Sequence, residues 1–174
     1  KMQIVQSDAY AKQYGFNSIH LVLANMYGPG EHFHPERSKV LASLLKKFYD
    51  AKRDAARSVT VWGTGAPVRD WLYVEDGAEG IIRAAESYDS VEPLNIASGS
   101  GISVADLAKL IKDVSGFTGE IVFDTSKKDG APKKTFGITK MQQVLQWIPE
   151  TPLADGVRKT WEWLSENYNT AITR

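Results

Sequence analysis

At 174 residues the chain is long enough for a domain with its own core, and its composition, 43% hydrophobic and 24% charged, is that of a globular protein. Twenty-one basic residues balance twenty-one acidic ones, so no net field draws the chain to nucleic acid or to a membrane surface. Cysteine is absent, which excludes disulfides and thiolate metal sites and fits a reducing, cytoplasmic setting, and no apolar run approaches the ~20 residues of a membrane span.

Met2, Val5 and Ala9 recur at helical spacing and Gly15 follows as a stop, so a helix occupies the first residues. No capping residue precedes it, and the reading is a chain cut inside a helix, a fragment of a larger protein. "SIHLVLAN" (18–25) is a short apolar run bounded by turn residues: a buried strand, parallel if helices flank it. A loop punctuated by Gly28, Pro29, Gly30 and Pro35 leads to Ser38, the expected cap of a helix that buries Val40, Leu41, Leu44, Leu45 and Phe48.

Residues 58–62, "SVTVW", alternate as a strand, turned at Thr64 and Gly65. "WLYV" gives a short strand, and a helix over 75–87 is expected to bury Ala78, Ile81, Ile82 and Ala85. "PLNIAS" (93–98) is another buried strand. Ser103 caps the next helix, with Asp106 in the reciprocal capping position, Gly116 at its end, and Val104, Leu107, Leu110, Ile111 and Val114 inward. A strand over 119–124 and a basic loop over 125–134 follow. Leu153, Val157, Trp161, Leu164 and Tyr168 then form one stripe of a last helix. Strands and helices alternate, so the class is α/β.

The stretch "VWGTGAPVRDWLYVED" groups an arginine, two close glycines and two tryptophans. A guanidinium fork grips a diphosphate bidentately, and Gly63 and Gly65 let backbone approach a ligand. The same spacing equally suits a hairpin carrying an Arg69–Asp70 surface pair. By size alone Trp62 and Trp71 read as core residues. Lys127, Lys128, Lys133 and Lys134 make either a second phosphate clamp or a solvated loop. His32 and His34 lack further ligands, so no metal is expected, and His20 reads as a core histidine with its hydrogen bonds met. There is no G-x-G-x-x-G after a strand, hence no dinucleotide fingerprint.

In order, "ANMYGPGEHFHPE", "VTVWGTGAPVRDWLYVED" and "GEIVFDTSKKDGAPKK" resemble the extended short-chain dehydrogenase/reductase family of nucleotide-sugar enzymes. Within it they are most similar to the bifunctional epimerase–reductases that turn GDP-4-keto-6-deoxymannose into GDP-fucose. The resemblance runs from Tyr10 to about Tyr168. It implies the C-terminal part of a Rossmann-type fold, a small mixed sheet with flanking helices. Residues 1–174 would then be a single fragment, the substrate-binding part, with the NADP-binding half and the Tyr-x-x-x-Lys catalytic pair upstream and the chain inactive alone.

The resemblance further implies that Asn25 contacts a nucleotide diphosphate sugar and that Leu23, Ala24 and Asn25 border the nicotinamide of NADP. Lys47, Trp62, Arg69 and Lys134 would line the nucleotide and diphosphate, and the intact protein would be a homodimer. One position departs from the family: Lys39 stands where a histidine acts as general acid in epimerisation. A lysine ammonium, titrating near ~10.4, shuttles protons poorly at neutral pH, which leaves another reductase, epimerase or dehydratase of the family open. A stand-alone nucleotide-sugar binding module without chemistry, or a dimerisation domain built on the Trp-rich last helix, are the readings from other classes.

Overall fold

The computed structural model describes residues 2–34 and 37–173. Its elements run α1 (Met2–Tyr14), β1 (Leu21–Leu23), β2 (Asn25–Tyr27), α2 (Val40–Arg53), β3 (Ser58–Trp62), β4 (Val68–Tyr73) and α3 (Val74–Ser87). They continue as β5 (Leu94–Ile96), β6 (Gly101–Ser103), α4 (Val104–Ser115), β7 (Glu120–Asp124), β8 (Lys133–Lys134), α5 (Thr139–Leu145) and α6 (Leu153–Ala171). The expected α/β class with a mixed sheet is present, as three small pieces. β1 pairs with β5 and β3 with β7, both parallel, while β4 pairs in parallel with β2 and β8 and antiparallel with β6.

The apolar run at 18–25 becomes one extended stretch shared by two sheets. Ala24 is the junction: its amide donates to the Ile96 carbonyl at 3.0 Å, after which Asn25–Tyr27 turns to β4. No hairpin joins β3 to β4, because β3 takes β7 as its partner. Gly63 and Gly65, at φ +81° and +78°, redirect the chain between the sheets in a conformation that L side chains rarely adopt.

β4 separates two cores. Trp71 and Tyr73 pack with α2, α4 and α6 residues such as Phe48, Leu107, Ile111 and Leu164. Leu72, on the opposite face, joins Leu94, Ile96, Ala84, Met141 and Trp147. A strand buried on both faces carries an unbroken apolar run, which "WLYV" supplies. The last helix buries Val157 and Leu164 from its stripe, with Leu153, Trp161 and Tyr168 half-buried against the same core.

Several local expectations are corrected. Ser38 does not cap α2; its hydroxyl is buried without a partner, Lys39 takes the cap position, and Val40 faces solvent. α1 buries none of its residues, leaving Met2 and Val5 exposed. His20 is not satisfied, since its Nε2 is buried without a hydrogen bond. Ser103 does cap α4, accepting the Asp106 amide at 3.0 Å, and Gly116 ends it at φ +66°. The Asp106 carboxylate accepts from the Ser103 hydroxyl, at 2.7 Å, instead of reaching the cap amide. β6 and α5 were not anticipated, and the basic loop contains β8.

The largest correction concerns α3. The expected inward residues Ala78, Ile81, Ile82 and Ala85 are exposed, and Asp76, Gly77, Gly80 and Ala84 face inward. Absent side chains explain this: a Cβ on Gly80 would stand 2.7 Å from Ile96 Cγ2 and 3.0 Å from the Trp147 ring. The helix therefore lies close on the strands through its glycines, which a hydrophobicity pattern cannot register. Gly80→Val should accordingly destabilise the chain by about 1–3 kcal/mol, whereas Ile82→Lys should stay within about 0.5 kcal/mol. Urea unfolding of both variants decides the orientation, and the reverse ranking would restore the apolar face.

Candidate functional site

A cleft of ≈ 230 Å³ opens between α2, the end of β3, the start of β4 and the loop after β7, lined among others by Lys47, Trp62, Gly65, Arg69, Lys128 and Asp129. Each wall has a local cause. The alternation of β3 buries Val59 and Val61 and sends Trp62 outward, 67% exposed. Composition had placed both tryptophans in the core; only Trp71 is there, 6% exposed.

The amphipathic turn of α2 delivers Lys47 onto this ring. Its ammonium sits 4.8 Å from the Trp62 ring centroid and donates to the Thr60 carbonyl at 2.8 Å. Burial lowers the Lys47 pKa, because the site removes water from the charged form. Lys127 approaches the same ring at 5.6 Å.

Arg69 is half-buried on β4, and its Nη1 donates to the Val68 carbonyl at 2.8 Å. It forms no ion pair among the described residues. The Arg69–Asp70 surface pair is thus excluded: Asp70 is fully buried and bonded elsewhere. In the parallel register of β4 with β8, Arg69 faces Lys134 across the ladder. Two cations placed far apart in sequence become neighbours.

Leu23, Ala24, Asn25 and Lys39 do not line this cleft. Lys39 is exposed one residue before Val40, which does line it. Leu23–Asn25 lies at the C-terminal end of β1, where open parallel sheets receive ligands. This stretch offers no cation and no glycine turn. Asn25 donates its side-chain amide to the Asp70 carbonyl at 3.0 Å.

Asp129 was missed from the sequence. Its carboxylate accepts from the Thr64 amide at 2.9 Å and the Thr64 hydroxyl at 2.6 Å, tying the loop after β7 to the turn between β3 and β4. A Cβ on Gly63 would collide with Asp129 Oδ1, so the glycine is what admits the tether. The readable signal was Asp followed by Gly inside a lysine-rich loop, a turn acid with amides to accept.

The Thr64 hydrogen bonds hold the Asp129 carboxyl below its ordinary range. A depressed folded pKa means the tether contributes fully above the unfolded value of ~3.9 and fades as pH falls through the folded one. Hydrogen exchange at the Thr64 amide, corrected for intrinsic rate, should lose protection only once pH falls below the ordinary carboxylate range, through the depressed folded pKa. Asp129→Ala should show low protection at every pH, and protection in Asp129→Ala equal to that of the native chain at neutral pH would show the carboxylate is not the anchor.

A family model described as the NAD dependent epimerase/dehydratase family matches residues 2–97. The chain is 42% identical, over 97% of its length, to the probable GDP-L-fucose synthase 1 of Oryza sativa subsp. japonica, of which it covers 51%. It also superposes on the crystal structure of a GDP-L-fucose synthetase from Naegleria fowleri with a TM-score of 0.90 and 32% identity, over 98% of this chain and 54% of that one. The NADP-bound form of that synthetase gives 0.89 and 33%, over 98% and 55%. The chain therefore spans about half the length of the relatives it matches. With more than half of its own residues inside the family model, the chain belongs to the NAD dependent epimerase/dehydratase family.

Proposed function

We propose that the chain is the nucleotide-sugar-binding part of an NADP-dependent epimerase/reductase that makes GDP-fucose from GDP-4-keto-6-deoxymannose. The observation that carries this is the cationic register beside the cleft: Arg69 opposite Lys134, with Lys47 against an exposed Trp62. Arg69 supplies a fork for paired phosphate oxygens. Lys47, already short of water, gains most from an arriving anion. Trp62 offers a flat face for the base, and Asn25 an amide towards the sugar end.

At ≈ 230 Å³ the cleft is smaller than the ~300–1,000 Å³ of ordinary ligand pockets, so a nucleotide sugar would be enclosed only with a second wall from the intact protein. NADP, a cytoplasmic setting and a homodimer belong to the same reading of that protein. The NADP-bound relative supports the cofactor, and the exposed Met2, Val5 and Tyr14 of α1 offer apolar surface for a partner.

Calorimetric titration with GDP tests the site. In the intact protein, Arg69→Ala should weaken GDP binding by about 1.5–3 kcal/mol without changing the fold. Arg69→Lys should recover only part of this, because an ammonium cannot form the paired contact. Equal affinity in all three proteins would remove Arg69 from the site.

Lys39 favours a second reading, a reductase of a 4-keto nucleotide sugar without epimerisation. The lysine occupies the place of the resembled family's general-acid histidine, at the start of α2 beside the cleft. In the intact protein Lys39→His should then raise solvent exchange of the sugar C3 or C5 protons by at least about 10²-fold, followed by NMR in deuterated buffer. Full exchange already present with Lys39 would rule this reading out.

A further inference from the structure

Among the described residues Asp70 is the most deeply buried acid, 0% exposed, and no cation pairs with it. Three donors surround its carboxylate instead. Oδ1 accepts the Ser98 hydroxyl at 2.7 Å and the Ser98 amide at 3.2 Å, and Oδ2 accepts the Gly99 amide at 3.2 Å. Gly99 has φ +74°, and a Cβ there would stand 2.5 Å from Ile138 Cδ1, so backbone form and packing aim both amides at one acid. On its other side, the Asp70 carbonyl accepts the Asn25 side-chain amide at 3.0 Å.

These partners have a common position. Asn25 follows the C-terminal end of β1, and Ser98–Gly99 follows that of β5, its parallel neighbour. Ligands of parallel α/β sheets bind outside these strand ends. Strand alternation puts Arg69 on one face of β4 and Asp70 on the other. One residue step thus links the cationic cleft to the strand tips.

We propose that Asp70 is a positioning residue, whose carboxylate pins the Ser98–Gly99 turn while its carbonyl orients the Asn25 amide, fixing the sugar-facing lip relative to Arg69. The buried side chain's two oxygens, both hydrogen-bonded, make this lip rigid: a side chain with a single acceptor oxygen cannot meet all three donors, and a donor left unmet inside the fold is costly. This role rests on the nucleotide-sugar reading of the cleft only for what the lip holds; the tie itself is independent of it.

The experiment has two readouts, the first on the whole chain. In Asp70→Asn one carboxylate oxygen becomes an amide donor, so at most one acceptor remains for three donors. Exchange of the Asn25 side-chain amide, assigned by its absence from Asn25→Ala, should quicken about tenfold relative to the Ile111 backbone amide in α4. Ser98→Ala, which removes one donor to the Asp70 carboxylate and the hydroxyl contacts to Ser100 but keeps both the Ser98 and Gly99 amides, should move it in the same direction by less, and it keeps the test decisive if Asp70→Asn fails to fold. Equal acceleration at Asn25 and Ile111 would mean general loosening and would overturn the role, as would no change at Asn25.

Binding then reports what the lip does. Asp70→Asn should weaken GDP-mannose about tenfold and GDP less than about twofold, while Arg69→Ala weakens both. Equal losses for the two ligands in Asp70→Asn would overturn the positioning role. This binding readout uses the intact protein, which supplies the second wall of the cleft. An intact protein that binds neither ligand would remove the nucleotide-sugar reading, and the exchange result on the chain would still decide the tie.

Discussion

β4 must satisfy two cores at once, and most of the molecule is arranged around that constraint. Its side chains alternate between an assembly of α2, α4 and α6 and a smaller one of β1, β5, α3 and α5. A strand buried on both sides has no solvated face for polar residues. The two it carries, Arg69 and Asp70, therefore sit at the strand's beginning, where one can reach a cleft and the other a turn. Shifting the register by one residue would exchange these faces and place the guanidinium inside the smaller core.

The buried acids follow one solution. Asp76, at the start of α3, accepts the Thr151 amide at 3.1 Å and the Glu150 amide at 3.4 Å, as Asp70 accepts those of Ser98 and Gly99. In each case backbone donors from a loop distant in sequence replace a cationic partner. Amides are fixed by the chain, so the cost of ordering a long lysine or arginine is avoided. Cations are thereby left for the cleft, where Arg69 and Lys128 have no acid as ion-pair partner among the described residues, nor has Lys134 beside Arg69 on β8.

What could be read from the sequence depended on whether a residue's signal was local. The β3 alternation, the Ser103 cap and the stripe of α6 follow from periodicity and short-range hydrogen bonding, and these stand in the structure. α3 misled because its contact face is made of Gly77 and Gly80, whose packing value lies in missing atoms. Ser38 was plausible chemistry one residue from the observed cap. At the candidate site, Arg69, Trp62 and Lys47 were nominated by residue type and resemblance, and the structure brings them to one cleft. Asp129 required knowing that the loop after β7 folds back to Thr64, a pairing that no spacing rule encodes. Asn25 and Lys39 remain at other edges, and their roles depend on what faces them.

The parallel pairing of β3 with β7 also bears on how the chain reaches this state. Ser58 lies opposite Glu120 and Trp62 opposite Asp124, with β4, α3, β5, β6 and α4 between them in sequence. Closing such a loop costs entropy before any ladder bond rewards it, whereas α2, α4 and α6 can form from local contacts. The wall that carries Trp62 and receives the loop after β7 is thus late-forming by topology. During synthesis it cannot exist until the chain has emerged beyond Asp124, and until then the exposed edge of β3 is open to mispairing.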